Sequence, residues 1–325
     1  MYYYGQIANL IDEQYFVTIT TNQNMVTRIP IKFADHEPIV ITTQSDSLFS
    51  PIKSRTCTLS IVTDEAIFDL YTAKVHGAEV QVIKLQTDEF GNNNNTGVFH
   101  GWLTPCAYTQ PYVSPGDVLQ LEAVDTVSTL KDIKYSLVDP GAGAQVLRMD
   151  EIFYRLFHLA GGTGRIYFCT DSYSGLPADS GHPFRIFQNY SVAESNFFDD
   201  DSERTPWTCY EVMEEMLRIF GFVAVSHNYD LWILQYDGLS RQRGINALYF
   251  EVSEFHAGTY YIDSSIHRDV YNVSLGKDDY ASDQHSISLD DVYNKITVND
   301  SIYEVSNITS NLMDDEQKNY AYVST

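Results

Sequence analysis

Between Asp35 and Tyr135, apolar and polar residues alternate with period two in one short run after another. In Arg55-Thr-Cys-Thr-Leu-Ser-Ile-Val62 the spacing sets Cys57, Leu59 and Ile61 on one face, because successive strand side chains point to opposite sides of a sheet. Glu79-Val-Gln-Val-Ile-Lys-Leu85 and Gly97-Val-Phe-His-Gly-Trp-Leu103 repeat the pattern on either side of an Asn-rich tip at Gly91 to Asn95, which predicts a long hairpin. Val118-Leu-Gln-Leu-Glu-Ala-Val124 closes the series. Upstream, Tyr15-Phe-Val-Thr-Ile-Thr-Thr21 and Met25-Val-Thr-Arg-Ile-Pro-Ile31 flank a polar turn and predict another hairpin, and Pro38-Ile-Val-Ile-Thr-Thr43 predicts a further strand. About seven short strands joined by turns predict a barrel or sandwich. Composition agrees: 24 Tyr and 17 Phe, with frequent Thr, Val and Ile, suit a pleated, half-buried surface.

The period changes after the Pro140-Gly-Ala-Gly-Ala144 stretch, which reads as a linker or tight turn. Asp150 is placed to cap a helix carrying Ile152, Phe153, Leu156 and Phe157, with Gly161-Gly162 as its stop. The clearest helix follows Thr208. Thr208 and Glu211 have capping-box spacing. Val212, Met213, Met216, Leu217 and Phe220 form an apolar stripe, and Gly221 stands where a left-handed stop belongs. Phe222 to Ser226 and Leu231 to Tyr236 then read as a hairpin lying against that helix. From Ala247 onward strand patterns return at Leu248–Val252, Val270–Ser274, Ser286–Leu289 and Lys295–Val298. The expected fold is mainly β with an inserted α+β part: two β-barrel-like domains, at residues 1–140 and 247–325, flank a mixed region at 141–246.

Chemistry is sparse by comparison. Acidic residues outnumber basic ones 44 to 20 in 325 residues, a net charge of −24. Such a surface does not hold nucleic acid, because tight binding needs Lys and Arg to neutralise phosphates. Cys57, Cys106, Cys169 and Cys209 form no Cys-x-x-Cys pair and read as small buried hydrophobes. The nine histidines include no metal-ligand pair at helical spacing. Gly161-Gly-Thr-Gly164 lacks the Lys-Ser/Thr ending of a phosphate loop. His182 in Ser180-Gly-His-Pro-Phe184 reads as a turn residue. Asp199-Asp-Asp-Ser-Glu203 offers carboxylates at alternate positions, as calcium ligation does, but without the glycine and distal glutamate of a helix-loop-helix site, and reads as a solvated acidic loop. No catalytic, cofactor or metal residues are assigned. The start of the chain, Met-Tyr-Tyr-Tyr-Gly, carries no charged leader and no run of about 20 apolar residues occurs, so a soluble, cytosolically made chain is expected, and the sequons at Asn189, Asn272, Asn299 and Asn307 are chance matches.

The order of these pieces carries a resemblance. Pro38-Ile-Val-Ile, Asp46-Ser-Leu-Phe-Ser-Pro-Ile52, Cys57-Thr-Leu-Ser-Ile, Val98-Phe-His-Gly-Trp-Leu-Thr-Pro105, Tyr108-Thr-Gln-Pro-Tyr112 and Leu121-Glu-Ala-Val-Asp125 through Leu130-Lys131 succeed one another. Thr205-Pro-Trp-Thr-Cys-Tyr-Glu-Val-Met-Glu-Glu-Met-Leu-Arg-Ile-Phe-Gly221, its hairpin, and Asp291-Val-Tyr-Asn-Lys-Ile-Thr-Val298 follow. Together they resemble the tail-tip (baseplate) hub proteins of tailed phages and prophages of Bacteroides-type bacteria. Cys209 and Tyr210, and Asp125-Thr-Val127, depart from the pattern usual in that group. The resemblance implies a structural, non-enzymatic virion protein. Its expected form is a homotrimer whose two barrels per chain build a six-fold ring, joining the tail tube or distal tail protein to spike or fibre proteins. DNA is expected to pass the acidic lumen without specific binding during ejection. The alternatives are a tail-associated cell-wall or glycan hydrolase and a receptor-binding carbohydrate module.

Overall fold

The structure, a computed structural model, describes residues 1–9, 12–21, 27–44, 50–63, 67–70, 74–87, 91, 93–105, 117–169, 190–199, 204–227, 229–235, 244–251 and 264–269. The chain is mainly β, and fourteen of the strands among the described residues belong to one large mixed sheet. The first nine are β1 (Tyr2–Ala8), β2 (Gln14–Thr21), β3 (Arg28–Pro30), β4 (Lys32–Phe33), β5 (Ile39–Gln44), β6 (Ile52–Thr63), β7 (Ala78–Leu85), β8 (Thr96–Leu103) and β9 (Asp117–Asp125). They run in the order β6, β9, β8, β7, β2, β1, β3, with β4 and β5 placed end to end along β6.

Alternation explains most of this half. Cys57, Leu59 and Ile61 of β6 are all fully buried, and they meet Val17, Ile19, Val80, Val82, Leu119 and Leu121 in one core. The hairpin expected across the Asn-rich tip forms as the antiparallel pair β7–β8, with a bulge between Val82 and Ile83. The hairpin expected between Tyr15–Thr21 and Met25–Ile31 does not form. Instead β2 pairs with β1 along seven residues and with β7 on its other edge. Arg28–Pro30 pairs in parallel with the far edge of β1. The reason lies in β1, whose own alternation buries Tyr3 and lets it take β2 as a full-length partner. Pro30 has no N–H to give a ladder, so β3 stays short. One residue later the Ile31 N–H donates to the Tyr4 carbonyl (2.8 Å), and Lys32–Phe33 crosses to pair with Val62 and Ile61 of β6.

The second half comprises β10 (Val146–Arg148), α1 (Met149–Leu159), β11 (Arg165–Cys169), β12 (Ser191–Ala193), α2 (Cys209–Phe220), β13 (Phe222–His227), β14 (Asp230–Gln235), β15 (Gly244–Glu251) and β16 (Ser264–Asp269). β13 attaches to the start of β6 in parallel, at Ala224↔Ile52, and β14, β11, β15 and β16 continue the sheet outward. α1 and α2 bury Phe153, Phe157, Met213 and Leu217 with Phe197 and Phe222 in a second core. That core also takes Ile52, Val127, Leu130 and Tyr135 from the first part of the chain. β15 runs through the boundary expected at 246 and pairs with β11. The strands expected at Val270–Ser274, Ser286–Leu289 and Lys295–Val298, and with them most of the second barrel, lie outside the described residues.

Helix ends follow sequence with one correction. Asp150 is not the cap of α1: Arg148 holds that position in extended conformation. Asp150 sits inside the first turn, 2% exposed, and accepts from Arg148 Nε (3.1 Å) and the Glu151 N–H (3.0 Å). α2 begins as expected. The Glu211 N–H donates to Thr208 Oγ1 (3.2 Å), and the Thr208 N–H donates to Glu211 Oε2 (2.6 Å). Gly221 ends it at φ 64°. Thr208→Ala removes one half of this box and is expected to lower unfolding free energy by about 1 kcal/mol in urea titration, without changing the slope.

Candidate functional site

Among the described residues, one set of hydrogen-bonded polar side chains lies between the two halves of the chain. β7 and β8 turn alternate residues away from the first core, so Glu79 and Gln81 share an outer face with His100 and Trp102. His100 Nε2 bonds Glu79 Oε1 at 2.8 Å, and His100 Nδ1 bonds Thr126 Oγ1 at 3.1 Å. The second half closes over this face. The Tyr229 ring, in the β13–β14 turn, lies 4.2 Å from the His100 ring. His76 lies 4.7 Å from Trp102, ring to ring, and its Nε2 bonds Thr129 Oγ1 at 3.1 Å. Thr129 Oγ1 in turn donates to the Thr126 carbonyl (2.7 Å). Trp102 Nε1 is buried with no acceptor among the described residues.

Asp125 anchors the same corner from below. It is 1% exposed and accepts the Arg55 N–H (3.1 Å), the Ser128 N–H (3.0 Å) and the Ser128 hydroxyl. These bonds start the 3-10 turn Val127–Asp132 that carries Thr129. The spacing Asp125-x-x-Ser128 is a capping signal that sequence reading passed over.

A hydroxyl, an imidazole and a carboxylate in series is an arrangement able to relay a proton. Here it has no room to attack anything: Thr126 is 1% and His100 4% exposed, and Tyr229 covers the ring. The geometry suits a latch between two cores. Burial, then the charge of Glu79, pushes the Tyr229 hydroxyl up to about 12, so it stays protonated.

Two carboxylates give this latch a pH signature. The His100 hydrogen bond holds Glu79 below the usual carboxylate range, against burial. Its contribution is present above its unfolded pKa and is lost as pH falls through the lower folded one. Asp125 has the opposite sign. Burial outweighs its three hydrogen bonds and pushes it up to about 6 from 3.8, so the folded state binds its proton more tightly than the unfolded state does. Stability from Asp125 therefore rises as pH falls through about 6, by about 1 kcal/mol between about pH 7 and about pH 5. Thermal melts of Asp125→Asn against wild type are expected to lack that rise. Below about pH 4.5 the stability of Glu79→Gln is expected to decline less steeply than that of the wild type, with Glu13 and Glu211, also held low, still contributing.

The glycines of Gly161-Gly-Thr-Gly164 serve packing here. A Cβ on Gly162 would stand 2.5 Å from the Phe157 ring, and one on Gly164 would stand 2.3 Å from the Tyr229 carbonyl. Asp199 Oδ1 accepts from Trp207 Nε1 (2.9 Å), while residues 200–203 of that acidic loop and the whole of Ser180–Phe184 with His182 lie outside the described residues. Among the described residues no group of three His, Cys, Asp or Glu converges as metal ligands would, and no helix is long and apolar enough to cross a membrane. Cys57 and Cys209 are buried, each thiol pushed up by burial, to about 12 and about 11. A separate cleft of about 300 Å³ opens between β5 and the β1–β2–β7–β8 face, lined mainly by Ile7, Tyr15, Ile39, Ile41, Val82 and Val98.

The sequence matches no protein-family model and no curated protein.

Proposed function

We propose that this chain is a structural hub subunit of a phage tail tip. It assembles as a homotrimer, joins the tail tube or distal tail protein to spike or fibre proteins, and lines the passage for DNA. One observation carries the reading. β1, β2, β7, β8, β9 and β6 are neighbours in that order, and the single segment Arg28–Phe33 pairs with β1 through its first half and with β6 through its second. That circuit supports the first of the two barrels a hub subunit carries, since a barrel leaves no free strand edge to pair at random. The net charge of −24 supports an acidic lumen that offers DNA no cations to hold it.

Light scattering on the purified full chain, joined to negative-stain imaging, tests this. The expected result is three times the chain mass and closed rings, with antibody label at the tail tip of whole particles. A monomer at every concentration, or label on no tail, overturns it.

A further inference from the structure

The circuit of strands from β1 round to β6 is closed along only part of its seam. Arg28–Pro30 covers β1 as far as Tyr4, and Lys32–Phe33 covers β6 at Val62 and Ile61. Beyond that bridge, β1 and β5 flank the apolar cleft of about 300 Å³, with Ile7 and Ala8 on one side and Ile39 and Ile41 on the other. Register decides where their backbone groups point. In β1 the Tyr2 N–H donates to the Thr27 carbonyl (3.0 Å) and the Tyr4 carbonyl accepts the Ile31 N–H (2.8 Å). Even-numbered residues of β1 therefore turn N–H and C=O to the seam, and odd-numbered ones turn theirs to β2. In β5 the Pro38 carbonyl accepts the Ser60 N–H (2.9 Å), so even-numbered residues bond β6 and odd-numbered ones face outward. Gln6 and Ala8 on one edge, and Ile39, Ile41 and Thr43 on the other, have no backbone partner there among the described residues.

What complements an open strand edge is another strand. Ile39-Val-Ile-Thr-Thr43 carries no charge, no proline and no bulge, the devices that keep a free edge from pairing. An incoming strand bonds these edges through its backbone and sets every second side chain into the cleft, where Ile7, Ile39, Ile41 and Val98 are half-buried. The cleft volume lies at the bottom of the range of about 300–1,000 Å³ for small-molecule sites, and hydrogen-bonding edges on both sides favour a peptide backbone over a free ligand. Charge narrows the partner. Asp35 and Glu37, both exposed, lead into Pro38 at the cleft. Asp12, also exposed, stands in the turn where its N–H donates to the Asn9 carbonyl (3.1 Å). Lys84, beside this turn, is held by Glu13. A second copy brings its own net charge of −24 to this acidic rim, whereas a strand flanked by lysine or arginine meets opposite charge. We propose that the seam is a strand-acceptor site for an extended segment of a partner protein, with apolar residues at alternate positions and basic residues outside them. The site goes beyond the hub reading and does not depend on it, since a single chain holds the whole seam.

Fluorescence anisotropy on the purified full chain tests it, with a short labelled peptide that alternates valine and threonine and ends in lysines. The expected result is saturable binding that weakens with added salt, and slower hydrogen exchange at the Gln6, Ala8, Ile39, Ile41 and Thr43 amides. The same peptide N-methylated throughout lacks the donors and does not bind, and a form ending in glutamates binds more weakly. Thr43→Pro removes an edge N–H that β6 does not use and is expected to weaken the peptide about fivefold, as loss of one hydrogen bond does, with the melting temperature kept. Ala8→Arg sets a cation at the exposed side of the cleft and weakens the peptide as well, should the proline variant fail to fold. Absence of binding overturns the proposal. So does equal binding of the N-methylated peptide, which makes the cleft a pocket for apolar groups alone. Protection of the same amides without peptide means that the chain itself or a second copy already pairs with these edges, and overturns it too. None of these results bears on the trimer, which light scattering reads separately.

Discussion

Glu194→Ala is expected to lower unfolding free energy by about 3–5 kcal/mol, the range for breaking a buried ion pair from one side. The loss has several parts. Tyr135 Oη and the Val138 and Gln145 N–H groups lose their acceptor at once. The Tyr135 hydroxyl, buried, costs on the order of 1–3 kcal/mol when orphaned, and the two part-buried N–H groups cost less because water can reach them. Arg155 loses its carboxylate too, but at 22% exposure and with the Leu137 carbonyl still in reach it adds the smaller share. Burial and the Glu194 charge push the Tyr135 hydroxyl up, so it remains a donor across the whole working range and cannot adapt by ionising. Glu194→Gln keeps one acceptor oxygen and is expected to fall between wild type and alanine. Denaturant titration gives the energies, and hydrogen exchange at Val138 and Gln145 reports whether both ends of the loop open together. A cost under about 1 kcal/mol would mean that this carboxylate reaches water.

The reach of sequence reading follows the distance over which each feature is encoded. The β7–β8 hairpin and the α2–β13–β14 unit were legible because periodicity, cap and turn all lie within a few residues. Cys57, Leu59 and Ile61 were legible for the same reason. The pairing of β1 with β2 and β3 was not, because two strands of similar alternation competed for one partner and nothing local marks which wins. The latch was hidden more deeply. His100 lies 21 residues from Glu79 and 26 from Thr126, and only the fold brings them to one face. Glu194 offered no pattern at all, since a lone acid before an aromatic pair looks the same whether solvated or buried. Gly161 to Gly164 lacked the ending of a phosphate loop in the sequence, but the reason for its glycines was not local either: Phe157 presses on Gly162 and the Tyr229 carbonyl on Gly164.

Gly101→Ala is expected to cost about 3 kcal/mol or more, at or beyond the upper end for overpacking a tight site. Gly101 faces Asp125 across β8 and β9, and a Cβ there would stand 2.0 Å from the Val124 carbonyl oxygen and 2.8 Å from its carbon. The obstacle is backbone, so no rotamer change relieves it and the strands must part. Parting them strains the pairs Trp102↔Val124 and Leu103↔Ala123 and draws Asp125 away from Arg55 and Ser128. It also shifts His100 and Trp102, the residues on either side of Gly101, under Tyr229 and His76. One added methyl group therefore acts on the β8–β9 pairing and on the latch together. The expected sign of this coupling is a single cooperative melt at lower temperature, with tryptophan fluorescence and far-ultraviolet circular dichroism falling together. Two separated transitions would show instead that the latch opens without the strands, and that the two cores hold their folds independently of it.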